Sequence, residues 1–285
     1  MHNPYYTLIT GASEGFGKAL ALECATRKMN LILVALPGPE LINLADFIKR
    51  NYFVDAIAIE KDLACEKKCW EIFDEIDKMK VRVNMLINNA GIGSTMLFSE
   101  GNIAFYQKQI RLNIIATTSI THYFLNHLQA NAPSYILNVG SLSSYFYMPK
   151  KQVYGATKSF IYFFSKSLRQ ELKHTKISVS VICPGSMNTN ISVTQLNKST
   201  GWLVRNAVLN PEQVAPIAIE GLLKQKEVII PGFTNKLFLI LNMILPSSIK
   251  NMMICRQMNS IKSVTAAEIN HSTLRLTTIS PSITA

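Results

Sequence analysis

The residues best placed to do chemistry in this sequence are Ser141, Tyr154 and Lys158. Ser141 follows an apolar run, Tyr135 to Val139, and Tyr154 precedes Lys158 by four positions. If the chain is helical from Val153 onward, that spacing puts the phenol and the ammonium on one face, one turn apart. A free tyrosine keeps its proton to about pH 10, too tightly for easy exchange near neutrality. A nearby ammonium favours the phenolate and lowers that value, and a serine hydroxyl can hold the oxygen that receives or releases the proton. Tyr-x-x-x-Lys pairs also arise by chance on many helices, so other segments must decide between an acid–base site and coincidence.

The elements that would position these residues alternate between strand and helix. Tyr5 to Ile9 is β-prone and runs into Thr10-Gly-Ala-Ser-Glu-Gly-Phe-Gly17, after which Lys18 to Lys28 reads as helix. Glycines at such a turn let the backbone approach a pyrophosphate, and the N–H groups at the helix start favour its charge. A plain strand-to-helix connection explains the same glycines, and the spacing differs from G-x-G-x-x-G. Leu31 to Leu36 is a continuous apolar run, as expected of a parallel strand covered on both faces. Its end, Ala35-Leu-Pro-Gly-Pro-Glu40, carries neither the acid that favours NAD nor the arginine that favours NADP, and Glu14 stands in the glycine turn.

Glu40 to Arg50, Cys65 to Met79 and Pro211 to Lys224 read as helices; Val54 to Ile59, Val83 to Ile87, Ile177 to Ile182 and Val228 to Ile230 read as strands. Asp62-Leu63 follows the third strand, where Asp62 could meet an adenine amino group or cap the next helix. Asn88-Asn-Ala-Gly91 closes the fourth strand. Ile103 to Leu128 is a long helical stretch interrupted at Asn113, and the helix holding Tyr154 continues to about Lys173. After the sixth strand, Cys183-Pro-Gly-Ser-Met-Asn-Thr189 opens a polar loop to about Gly201 with the composition of a mobile lid. In open parallel sheets ligands sit beyond the carboxyl ends of the strands, so these segments converge on one crevice.

With 48% hydrophobic and 16% charged residues over 285 positions, the chain can bury a large core, and one α/β domain is the simplest division. A formal charge of +11 favours anionic partners such as a nucleotide, an acidic carrier or anionic lipid, while no basic run with interleaved aromatics points to nucleic acid. Five scattered cysteines show neither metal-type pairing nor a disulfide framework, which fits a reducing, cytoplasmic setting. The residues Met1-His-Asn-Pro do not form the basic segment of a signal peptide. Leu237 to Leu245 is nearly all apolar but ends at Pro246, short of the roughly 20 residues a bilayer span requires. The segment 236–258 therefore covers the pocket, forms an oligomer surface, or touches a membrane peripherally. From Asn259 to the end, Ser and Thr predominate, so we expect a single domain over 1–258 and a loosely ordered tail over 259–285.

Taken together, these motifs resemble the short-chain dehydrogenase/reductase family over roughly residues 5 to 232. The resemblance rests on Thr10-Gly-x-x-x-Gly-x-Gly17, Asp62-Leu63, Asn88-Asn-Ala-Gly91, Asn113, Ser141, Tyr154-x-x-x-Lys158 and Pro184-Gly-x-x-x-Thr189 in that order. It implies a three-layer, doubly wound α/β Rossmann fold whose seven-stranded, mainly parallel sheet binds NAD or NADP. It also implies that Tyr154 exchanges the proton, Ser141 orients the substrate oxygen, Lys158 lowers the tyrosine pKa and holds the nicotinamide ribose, and Asn113 keeps a water in a proton relay. Gly11, Ala12, Ser13, Glu14, Gly15, Phe16 and Gly17 would surround the pyrophosphate. Asp62 and Leu63 would meet the adenine, Asn89, Ala90 and Gly91 the adenosine ribose side, and Pro184, Gly185, Met187 and Thr189 the nicotinamide end. Asn88 would stabilise the sheet. No metal is implied. The family commonly pairs through the helices holding Asn113 and Tyr154, so a homodimer or homotetramer is expected. The substrate would be a small carbonyl or alcohol compound; the apolar Tyr145-Phe-Tyr-Met148, with Ile92 and Met187, suggests a hydrophobic one (an acyl, steroid-like or other lipophilic ketone), although these residues could instead simply pack. The competing class is a family member that binds nucleotide as a regulator or scaffold without turnover; the full Asn-Ser-Tyr-Lys set argues against it.

Overall fold

The computed structural model describes residues 4–188 and 208–246, with 248, 249 and 252. Thr189, the lid loop beyond it, Cys255 and the tail from 259 lie outside the described residues. Seven strands form one sheet: β1 (Tyr5–Thr10), β2 (Asn30–Ala35), β3 (Ala56–Glu60), β4 (Arg82–Asn88), β5 (Ser134–Val139), β6 (Ile177–Ile182) and β7 (Val228–Ile229). Their order is β3-β2-β1-β4-β5-β6-β7, and every pairing is parallel. All six residues of β2 and of β6 are buried, Ser178 and Ser180 included, as a parallel sheet covered by helices on both faces requires.

On one face α1 (Gly15–Thr26), α2 (Pro39–Tyr52) and α7 (Pro211–Leu223) close a core that includes Ile9, Leu20, Leu44 and Ile219. On the other, α3 (Glu66–Lys78), α5 (Thr117–Ala130) and α6 (Gln152–Glu171) bury Leu8, Ile72, Phe124 and Leu168. Adjacent β1 residues thus belong to opposite cores, which makes this a three-layer, doubly wound α/β fold. The order reverses between β1 and β4, so the loops after these strands diverge and leave a crevice at their carboxyl ends.

Most boundaries shift by one or two residues from the sequence reading, and two larger differences bear on the site. Helix α1 begins at Gly15 rather than Lys18, because Phe16 buries its ring in the core and draws the glycines into the first turn. The stretch interrupted at Asn113 does not break: α4 (Ile103–Ile110) passes through a π-helical turn, Arg111–Ala116, into α5. The apolar segment after β7 is α8 (Phe233–Ile244), and among the described residues no helix is long and apolar enough to cross a membrane.

Candidate active site

Each candidate residue stands where a strand ends or a helix begins. The glycine turn after β1 needs its glycines: Gly11 has φ +65°, and a Cβ there would come within 2.9 Å of the Ala90 Cα. At Gly17 a Cβ would meet the Gly11 carbonyl oxygen at 1.9 Å. Asn89 fastens this turn to β4 by donating from Nδ2 to the carbonyls of Thr10 and Gly11, each at 3.0 Å. Thr10 Oγ1 in turn accepts from the Asn89 and Ala90 amides. Ala12 and Phe16 turn their side chains into the core, so only their backbone faces the crevice.

The start of α1 has no acidic residue in its first turn and no side-chain cap, and the N-cap Glu14 is exposed. These amides and the glycine turn, at the point where the sheet order reverses, fit the pyrophosphate of a dinucleotide. Asp62 forms a local turn, accepting from the Ala64 amide at 2.9 Å; the N-cap of α3 is Cys65, and Leu63 is buried. Beside Ala35, its register partner Glu60 accepts from the Gly38 amide at 2.8 Å. An acid absent from the end of β2 thus arrives from β3, a neighbour that sequence order does not reveal.

After β5, Ser141 Oγ accepts from the Ser143 amide at 3.1 Å and hydrogen-bonds Tyr154. Helix α6 brings Lys158 back under this loop, where its Nζ donates to the Val139 carbonyl at 2.7 Å and lies 5.9 Å from the centre of the Tyr154 ring. The one-turn spacing on one helix face is therefore realised. The electrostatic expectation is not. Tyr154 sits above the ordinary phenol range, burial being the largest cause and the Ser141 hydrogen bond opposing it. Burial also lowers Lys158 to about 8. A buried ammonium turned to a carbonyl is itself destabilised, so it does not pull the phenol down in this structure.

Asn113 is 1% exposed inside the π-turn. Its Oδ1 accepts from the Ile92 amide at 2.9 Å, and its Nδ2 donates to the Ile92 carbonyl at 3.0 Å and to Thr157 Oγ1 at 2.9 Å. It holds the strand after Gly91 against α6, and a Cβ at Gly91 would lie 3.5 Å from Lys158 Nζ. Asn88 donates to Asn138 within the sheet and to Thr121 on α5, in line with a structural role. The Pro184 carbonyl accepts from the Leu142 amide at 2.9 Å, Gly185 packs on Asn235 of α8, and Met187 bridges to Leu209.

Sequence reasoning missed four participants. Gly93 packs on the Tyr154 ring, leaving 3.3 Å to a Cβ. Thr157 anchors Asn113. Cys183, whose thiol burial pushes up to about 12, hydrogen-bonds Tyr145 beneath the Ser141 loop. Lys151 places its Nζ 5.4 Å from the Tyr154 ring centre. Only Lys151 left a readable signal, a lysine three positions before the tyrosine where a helix begins. Of the apolar stretch, Tyr145 packs edge-on against Tyr162 and Tyr147 is exposed.

The model of the short chain dehydrogenase family matches residues 6–199. Sulfoacetaldehyde reductase 2 of Chromohalobacter salexigens is 31% identical over 190 residues, covering 66% of this chain and 75% of its own. The NADP-dependent 3-hydroxy acid dehydrogenase of Schizosaccharomyces pombe is 29% identical over 229 residues, covering 78% and 88%. Among solved structures, the bulky-bulky ketone specific alcohol dehydrogenase from Comamonas testosteroni superposes with a TM-score of 0.71 at 26% identity, covering 94% of this chain and 99% of that one. The matched span runs from the glycine turn through β6 and takes in Asn113, Ser141, Tyr154 and Lys158, and with it the chain belongs to the short-chain dehydrogenase/reductase family of NAD(P)-dependent oxidoreductases.

Proposed function

We propose that the enzyme interconverts a carbonyl and a secondary alcohol on a small, lipophilic substrate, with Tyr154 as the acid and base. The observation that supports this most is the half-buried Tyr154 set against Ser141 with Lys158 on the same helix face beside it. The substrate oxygen docks between the two hydroxyls. The bound dinucleotide supplies the hydride to carbon in reduction and takes it in oxidation. Ser141 donates to the oxygen as charge develops on it, and Tyr154 delivers its proton there; oxidation uses the same groups in reverse. Lys158 holds the ribose and favours the departing phenolate, and Asn113 extends the proton path behind it. Gly11 to Gly17, Asp62, Leu63, Asn89 to Gly91 and Pro184 to Thr189 hold the dinucleotide.

The relatives' names span sulfoacetaldehyde, 3-hydroxy acids and bulky ketones, so the substrate must be argued from this pocket's own walls. Ile92, Phe146, Met148 and Met187 supply apolar surface. A single domain over 1–258 acting in the cytoplasm, paired through the faces of α5 and α6, completes the reading. Tyr154→Phe tests it: reduction of ketones and aldehydes should fall by a factor of about 10³ or more, the scale of a lost general acid, while the Kd for the reduced cofactor stays within a few-fold. Turnover retained in that variant would remove Tyr154 from the mechanism.

A further inference from the structure

Lys151 lies beside Tyr154 and belongs to none of the motifs quoted for the family resemblance. Its Nζ is 5.4 Å from the Tyr154 ring centre, closer than the 5.9 Å of Lys158. Its backbone is pinned on both sides: its amide donates to the Met148 carbonyl, its carbonyl accepts from Gly155 at 2.7 Å, and the preceding Lys150 carbonyl accepts from Met96. Lys151 is the N-cap of α6, where Ser, Thr, Asp or Asn is preferred and where a cation opposes the helix dipole. The first turn of α6 offers no acid in compensation.

Among the described residues no acid neutralises this half-buried ammonium, which lies instead over the face of the Tyr154 ring. Among the described residues its Nζ has neither an ion pair nor a hydrogen bond. The stretch 189–207 contains no Asp or Glu, and the one acid beyond the described residues is Glu268. Burial holds Lys151 below the ordinary lysine range, the sign of a charge without a partner. A residue that breaks local preference without a structural return is expected at a functional site.

We propose that Lys151 selects the substrate by pairing with an anionic oxygen group, a carboxylate in the first instance, carried a few bonds from the carbonyl that Tyr154 protonates. This rests on the carbonyl-reducing reading of the same pocket and narrows it to oxo acids with a lipophilic remainder.

The test uses the full chain, aliphatic oxo acids with differing separations of carbonyl and carboxylate, and their methyl esters. For the preferred acid, Lys151→Met should lower the acid-to-ester ratio of kcat/KM by about tenfold or more, chiefly through KM, as expected for a lost charge-assisted hydrogen bond. Lys151→Arg should recover part of it. Equal losses for acid and ester would make Lys151 a neighbour of Tyr154 only, and an unchanged ratio would equally overturn the proposal. If Tyr154→Phe still turns over, or no carbonyl is reduced, the catalytic reading fails instead. In that case the Kd of a saturated carboxylate for the cofactor-loaded protein, by tryptophan fluorescence, still decides: a tenfold rise in Lys151→Met supports the anion pairing, and no change removes it.

Discussion

Burial acts in opposite senses on Tyr154 and Lys158, raising the first and lowering the second to about 8. Both shifts favour the neutral form, because a low-dielectric site penalises either charge. Lys158 is therefore an ammonium below about pH 8 and neutral above it, while Tyr154 stays protonated throughout that range. The proposed reduction uses a protonated Tyr154 and a cationic Lys158, so its kcat/KM should fall as pH rises through about 8. Arginine does not deprotonate in this range. A pH profile of Lys158→Arg should accordingly show that descending limb moved up by about one unit or more, at a lower absolute rate. A limb that stays in place would belong to another group.

At the scale of elements, the site depends on polar ties between layers rather than on any single helix. Asn88 and Asn138 are register partners on β4 and β5. Asn88 Nδ2 donates to Asn138 Oδ1 at 2.8 Å and Asn138 Nδ2 to Ser165 Oγ at 2.9 Å, joining the sheet to α6. Asn138→Ala would remove both bonds, although Asn88 Nδ2 keeps Thr121 Oγ1 and Ser165 Oγ keeps the Ile161 carbonyl. It should cost about 1–3 kcal/mol, read from urea unfolding, and should loosen the register between the Ser141 loop and α6. The π-turn makes a comparable tie: its wider winding carries Asn113 inward to clamp Ile92, and π-turns inside α-helices recur at functional sites. An interruption at Asn113 was legible in the chain, but its form was not, since a π-turn is chosen by what the inserted side chain finds across the layer.

At the scale of the whole molecule, the reversal of strand order between β1 and β4 opens the crevice, and the exposed aromatic face of α6 bears on how copies meet. Phe163 is 65% exposed and Phe160 40%, on the helix that also carries Tyr154 and Lys158. If that face pairs two chains, Phe163→Asp should convert a dimer to monomer in light scattering and lower the melting temperature, because each partner loses buried apolar surface. A wild-type monomer would refute the pairing. Helix α8 bears on the site differently: its buried Asn235 packs against Gly185, while Phe233, Leu237, Ile240 and Ile244 remain exposed. The apolar segment thus has one end on the loop after β6 and an open outer face.

The primary chain alone determined the alternation of strands and helices, the parallel sheet and the placing of Tyr154 and Lys158 one turn apart on one helix. Those signals are local: unbroken apolar runs, glycines before a helix, and a tyrosine and lysine one turn apart. Tertiary structure decided what depends on which distant residues meet. It raised Tyr154 rather than lowering it, since burial is a property of the assembled layers. It set Glu60 beside the end of β2, because neighbouring strands lie 25 positions apart in register, Ala35 against Glu60. It brought Lys151 over the Tyr154 ring with no counter-charge among the described residues, which composition could not reveal because ion pairs form across the fold.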